Sequence, residues 1–216
     1  MIYMKIRYDV FVTKKKHSFD WFFTRWGGNT AVCLIRFWAF FHRTTDYRIE
    51  LSRPINPDEI TVMASNHQTL LDPPAVFAAL TFKNLLKISP VKFMTWHKYY
   101  NSVYKFPLYA TGCFPSHGPG LTGVKGAVHF AQNSYRAFIF PEGKRTRPDK
   151  RNPAYPGISQ ILAQLPEARL ILVHIDWEVR TTFWSRPKLL VHYVDAPEKL
   201  DRTNPDAIMN AIYDIK

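Results

Sequence analysis

Three short stretches of this sequence hold residues whose types and spacing can do chemistry. In Ser65-Asn66-His67-Gln68-Thr69-Leu70-Leu71-Asp72-Pro73 an imidazole precedes a carboxylate by five residues. A turn between them can bring the carboxylate to one ring nitrogen, which fixes the tautomer and leaves the other nitrogen free to take a proton. Alone, that spacing is more often a satisfied structural pair than a catalytic one. In Phe140-Pro141-Glu142-Gly143-Lys144-Arg145-Thr146-Arg147-Pro148, three cations fall within four positions of a glycine that permits a tight turn. Such a loop can hold a phosphate, arginine doing so bidentately, although a solvated charged loop is the commoner outcome. The third stretch, Gly112-Cys113-Phe114-Pro115, says by itself only that the chain turns.

The elements that must position these residues alternate strand and helix. Tyr47–Leu51 and Ile60–Ser65 read as strands, the second running directly into Asn66-His67. Ala75–Leu80 reads as helix, Lys92–Tyr100 as mixed, and Pro107–Phe114 as containing a short strand. Val124, Ala127, Val128 and Ala131 fall at helical spacing before an apolar strand, Tyr135–Phe140. A loop over Pro141–Pro156 follows, and Ile158, Ile161, Leu162 and Leu165 then mark an amphipathic helix. Leu170–Val173 is an uninterrupted apolar run, as in a strand covered on both faces, and Leu189–Val194 is another strand. Asn204-Pro205 starts a helix that carries Ile208 and Ile212. This alternation predicts an α/β domain over residues 46–216, with a mixed, mostly parallel sheet flanked by helices.

Residues 1–45 differ. Trp21-Phe22-Phe23, Trp26 and Phe37-Trp38, Phe40-Phe41 flank Gly27-Gly28, among Lys14, Lys15, Lys16, Arg25, Arg36 and Arg43. They predict a short helical hairpin whose rings enter a headgroup boundary while its cations face anionic lipid. The apolar run Ala31–Phe41, broken by Arg36, is short of the roughly 20 residues a spanning helix needs. Met1–Val10 has no sustained apolar run and no small-residue cleavage site, unlike a secretory signal.

Composition narrows the partners. A net charge of +12 suits an anionic bilayer, an acidic carrier protein or nucleic acid. Against nucleic acid, the aromatic residues cluster at the N-terminus and are not interleaved with cations on a strand platform. Two cysteines, Cys33 and Cys113, are too few for a disulfide framework and read as packing residues. His17, His42, His97, His117, His129, His174 and His192 form no metal-ligand spacing, and Ser65 lacks the G-x-S-x-G surroundings of a nucleophile. No metal is expected.

Taken in order, the three stretches resemble the glycerolipid acyltransferase family, best known from the lysophosphatidic acid acyltransferases. That family carries an N-H-x-x-x-x-D block, a G-x-F-P-type block ending in arginine, and F-P-E-G-x-R-S. Asn66, His67 and Asp72 match the first block; Phe140, Pro141, Glu142, Gly143 and Arg145 match the last, with Thr146 in place of serine. The resemblance covers residues 60 to 175, roughly. It implies that His67 takes the proton of an acceptor hydroxyl as it attacks a thioester, with Asp72 holding the imidazole. It places Glu142, Gly143 and Arg145 at the acceptor, with Arg145 on a phosphate; Lys144 and Arg147 join them on charge grounds alone, and Thr146 and Gly112 are assigned to the same substrate site. It also implies acyl-CoA or an acylated carrier protein as donor, no cofactor, a lysolipid acceptor, and a peripheral or monotopic place on the cytoplasmic face of a membrane.

Two blocks depart from the pattern. Ser116-His117-Gly118 stands where the middle block ends in Val-Asp-Arg, and Ile171-Leu172-Val173-His174 lacks the usual proline. The missing arginine contacts phosphate in members that use lysophosphatidic acid. Either His117, Lys125 or the 144–147 cluster replaces it, or the acceptor is a lysophospholipid or lyso-aminolipid without that phosphomonoester. A non-catalytic lipid-binding protein of the same fold is the remaining alternative, against which the His67 and Asp72 pair speaks.

Overall fold

The computed structural model describes residues 30, 44–56, 58–69, 72–73, 76, 90–100, 108, 112–118, 121–146, 150–177 and 188–215. The expected hairpin in residues 1–45 and the helix over 75–80 lie outside the described residues, except for a few single positions and the start of the first strand. In chain order the elements are β1 (Thr44–Glu50), β2 (Thr61–Ser65), β3 (Val91–Thr95), a one-turn α1 (His97–Tyr100), β4 (Cys113–Pro115), β5 (His117–Gly118) and β6 (Leu121–Thr122). Then come α2 (Gly123–Gln132), β7 (Arg136–Ile139), α3 (Gly157–Gln164), β8 (Arg169–Trp177), β9 (Lys188–Asp195) and α4 (Pro205–Tyr213).

Seven strands form one sheet in the order β1-β9-β8-β2-β7-β3-β4, and β5 pairs antiparallel with β6 beside it. Every neighbouring pair in the large sheet is parallel except β8 with β9. The expected mixed, mostly parallel α/β fold is therefore the one observed. Strand β8 outruns the apolar run Leu170–Val173 because Ile175, Asp176 and Trp177 pair with Val191, Leu190 and Leu189 of β9.

Strand alternation divides the core. Val62, Ala64, Ala137, Ile139, Leu170 and Leu172 face α2, α3 and α4, packing on Ala127, Val128, Ile158, Ile161, Ile208 and Ile212. Met63, Phe138, Ile171, Val173 and Ile175 face the other way with Phe93, Val191 and Cys113. Burial on both faces explains the uninterrupted apolar run Leu170–Val173 in β8 and the apolar character of β2 and β7 beside it. The first turn of α4 is capped by Asn204, whose side-chain oxygen accepts from the Asp206 and Ala207 N–H groups, as its sequence predicts.

At the edge where the parallel strands begin, Arg169 is held by Asp195 through two hydrogen bonds, 2.7 and 2.9 Å, and by the carbonyls of Arg53 and Pro54. Burial would raise the Asp195 carboxyl, but hydrogen bonds from Arg169 and Ser52 outweigh it and lower the pKa to about 2. The opposite edge, where the parallel strands end, carries the chemistry.

Candidate active site

Strand β2 lies between β7 and β8, so its C-terminal end opens where neighbouring parallel strands also finish. In open α/β sheets that end of the strands is where ligands bind. Beyond Ser65 the ladder to β8 is continued by a side chain. The Asn66 amide donates to the Ile175 carbonyl and accepts from the Ile175 N–H, each at 2.7 Å. That exchange satisfies both backbone groups of Ile175 while freeing the β2 chain to turn.

His67 is the first residue past this lock, and the loop after β7 grips its backbone on both sides. Its N–H donates to Glu142 Oε2 at 2.9 Å, and its carbonyl accepts from the Thr146 N–H at 2.7 Å. Its ring stacks on Phe140, centroid to centroid 4.3 Å. Nδ1 meets Asp72 Oδ2 at 2.8 Å.

Asp72 is fully buried and takes four more hydrogen bonds. Oδ2 accepts from the N–H groups of Gln68 at 2.5 Å and Thr69 at 2.8 Å. Oδ1 accepts from the Thr69 hydroxyl at 2.8 Å and Trp177 Nε1 at 2.7 Å. With donors on every side, the carboxylate acts only as an acceptor. Nδ1 therefore carries the imidazole proton, and Nε2 keeps its lone pair. The His67 side chain is 17% exposed against 0% for Asp72, so the ring is the outlet of the pair. This is the arrangement of a general base with its orienting carboxylate.

Glu142 is placed differently from the expectation that it contacts the acceptor. It is fully buried; Oε2 is taken by the His67 N–H and Oε1 by the Tyr213 hydroxyl at 2.8 Å. With both oxygens engaged inside the protein, it positions His67. Burial and the neighbouring Glu142 carboxylate push the Tyr213 phenol well above its ordinary range, so it remains a donor. Arg151 lies 4.7 Å over the Tyr213 ring and ties the same loop to α4.

Gly143 has φ +62°, which favours glycine, and a Cβ there would come within 2.8 Å of the exposed Tyr155 ring, which would have to shift. Thr146 is buried and accepts from Asn152 Nδ2 at 2.5 Å. Lys144 and Arg145 are exposed at the rim of the loop. Gly112 is not brought to His67. It has φ +84° and precedes β4, with its carbonyl on the Phe93 N–H, three strand positions from β2.

Trp177 and Tyr213 are the site residues that sequence spacing missed. Trp177 closes β8, and Tyr213 is the last residue of α4. No local pattern marks either; only the fold brings them to Asp72 and Glu142. Among the described residues no group of His, Cys, Asp and Glu could hold a metal ion.

A buried carboxylate orienting a partly exposed imidazole at the open end of a parallel α/β sheet is a geometry that suits general-base chemistry. The chain belongs to the Acyltransferase family, whose model matches residues 46–175. Among solved structures, the 1-acyl-sn-glycerophosphate (LPA) acyltransferase PlsC from Thermotoga maritima has the same fold, with a TM-score of 0.59 at 13% identity. The match covers 96% of this chain and 82% of that one. No curated protein matches the chain.

Proposed function

We propose that this protein moves a fatty acyl group from acyl-CoA or an acylated carrier protein to the free hydroxyl of a lysolipid, 1-acylglycerol-3-phosphate, giving phosphatidic acid. The observation that carries the reading is the 2.8 Å contact between His67 Nδ1 and a buried Asp72 at the end of β2. His67 Nε2 takes the hydroxyl proton as the acceptor oxygen attacks the thioester carbonyl. Collapse of the tetrahedral intermediate forms the ester and breaks the carbon–sulfur bond, and the imidazolium returns its proton to the departing thiolate. Asp72 steadies the positive ring in between. A thioester is already activated, so no acyl-enzyme is needed.

The exposed Lys144 and Arg145, on the loop that holds His67, supply the cations for a phosphate headgroup. The fold neighbour is itself an acyltransferase for this acceptor. A second reading keeps the chemistry and changes the acceptor to a lysolipid without a phosphomonoester. It is favoured by Ser116-His117-Gly118 where the family carries Val-Asp-Arg, which leaves glycine in place of the arginine; His117 Nδ1 lies 3.2 Å from Ser116 Oγ. The protein works at a membrane surface on either reading, without a cofactor.

Thioester consumption against a panel of acceptors tests both. Lysophosphatidic acid should be the best acceptor, and His67→Ala should lower turnover by about 10²–10⁴-fold. Undiminished turnover in that variant ends the general-base reading. Turnover of phosphate-free acceptors alone transfers the assignment to the second reading.

A further inference from the structure

Among the described residues the large hydrophobic side chains left exposed are Trp96 and Tyr155, 48% and 58% exposed. Both stand on the edge that holds His67. Trp96 follows the last residue of β3, and Tyr155 is tied back to the end of β7 by its N–H on the Pro141 carbonyl at 2.8 Å. Exposed aromatic residues at one rim have a specific meaning beside cations, since rings of this kind settle at the boundary between headgroups and acyl chains.

The cations are there. Lys98, Lys125, Lys144, Arg145, Lys150 and Arg151 are all exposed and leave from this edge: the turn after β3, the first turn of α2, and the loop after β7. The Lys98 ammonium lies 4.8 Å over the Trp96 ring. Three exposed acids stand against them: Asp176 and Asp214, and Asp206, whose Oδ1 accepts from the Ala154 N–H beside Tyr155. The opposite edge has no such excess of cations. Glu50, Asp58, Glu167, Glu198 and Asp201 leave from it, against Arg53, Lys199 and the part-buried Arg202, beside the Arg169–Asp195 pair. The domain is thus electrically polar along its strands, with the positive end at the catalytic edge.

We infer that the catalytic edge itself docks on an anionic lipid bilayer, with Trp96 and Tyr155 inserted at the headgroup boundary and the surrounding cations over acidic lipid. The charge asymmetry selects the orientation, and the two rings hold it. Docked this way, the exposed face of His67 is turned toward the lipid phase, and a lysolipid can meet it without fully entering water. This deepens the lysolipid reading of the same site and rests on it for the acceptor. It assigns the docking surface to the α/β domain, in addition to anything residues 1–45 contribute.

The test is sedimentation of the full chain with vesicles of phosphatidylcholine alone, and with about a third of the lipid replaced by phosphatidylserine. Wild type should prefer the anionic vesicles strongly. Each cation near such a surface is worth roughly fivefold in partitioning. The combined variant Trp96→Ser, Lys98→Glu, Lys150→Glu should therefore bind at least about twentyfold more weakly. The pair Lys98→Glu, Lys150→Glu, which changes only exposed side chains, should show most of that loss. Arg53→Glu with Lys199→Glu, two exposed cations at the opposite edge, should change partitioning by less than about threefold.

Wild-type binding by the first two variants, equal loss in the opposite-edge control, or equal binding of wild type to neutral vesicles each overturns the proposal. A parallel assay with a water-soluble short-chain lysolipid separates this from the acceptor reading. The docking variants should consume thioester there at the wild-type rate, and a loss there would place Trp96 in the substrate site and overturn docking. His67→Ala should bind vesicles as wild type does. If wild type turns over no lysolipid at all, the acceptor reading fails while the vesicle comparison still decides docking.

Discussion

Replacing Asp72 with asparagine sets donor against donor in the cluster behind His67. The carboxylate now accepts from His67 Nδ1, the Gln68 and Thr69 N–H groups, the Thr69 hydroxyl and Trp177 Nε1. Asparagine offers one acceptor oxygen and one NH2 in the same space. If the NH2 faces Gln68 and Thr69, it meets two backbone N–H groups that cannot turn away. If it faces Trp177, the Thr69 hydroxyl can rotate to accept, and only the indole N–H is opposed. The second orientation wins and keeps the Nδ1–H tautomer of His67. A lost bond to a charged group costs about 1.5–3 kcal/mol, and an unsatisfied buried donor adds about 1–3, so Asp72→Asn should lose roughly 3–5 kcal/mol. Trp177→Phe removes the same bond from the other side at about 1.5–3 kcal/mol. In the double variant no indole N–H opposes the amide. Its loss should therefore fall short of the sum of the single losses by at least about 2.5 kcal/mol, since the bond is counted in both singles and the opposed donor in one. Urea unfolding of wild type, both single variants and the double variant measures that coupling. Additivity to within about 0.5 kcal/mol would refute the donor arrangement assigned to Asp72.

Tyr213→Phe leaves Glu142 Oε1 without its donor and should cost about 1.5–3 kcal/mol in urea unfolding. Turnover should fall far less than in His67→Ala, because the His67 N–H bond to Glu142 survives. Gly143→Ala meets both the positive φ and the Tyr155 ring and should lose about 1–3 kcal/mol. Adding Tyr155→Ala should recover the steric part only, and full recovery would mean that φ carries no strain. Asp195 has a folded pKa of about 2, below its ordinary 3.8, so its contribution is complete above about pH 4 and is lost as pH falls toward 2. Discounted for solvent screening, Asp195→Asn should cost about 1–2 kcal/mol at pH 7, and the gap to wild type should close in acid.

The large buried strands were legible because their side chains are apolar on both faces, as in Val62-Met63-Ala64 and Leu170-Ile171-Leu172-Val173. Strand β3 read only as a mixed segment because Lys92 interrupts it. The structure buries that lysine with its ammonium 5.1 Å from the ring centres of both Phe130 and Tyr135, a solution invisible to local pattern. His67 and Asp72 were legible because they sit five residues apart within one motif. Trp177 is 105 residues from Asp72, and Tyr213 is 71 from Glu142, so their parts depend on sheet order and helix packing. Glu142 shows the limit of a motif: its position in the chain was right, but only coordinates reveal that both its oxygens face inward.

That inward orientation divides the labour of the loop after β7. Its buried half, Glu142 and Thr146, grips the His67 backbone, while its exposed half, Lys144 and Arg145, stays at the rim. The base is fixed by segments remote in sequence: β8 through Asn66, α4 through Tyr213, and the β7 loop itself. A base held in this way need not reorganise as charge develops on its ring, which is where preorganised dipoles contribute most to rate. The rim cations have no share in that fixing. On the proposed reading, headgroup preference can therefore change at positions 144 and 145, or at Ser116 and His117 beyond the end of β4, while the proton-transfer geometry stays as it is. On that reading the departure from the family pattern at Ser116-His117-Gly118 belongs to the acceptor and not to the proton transfer.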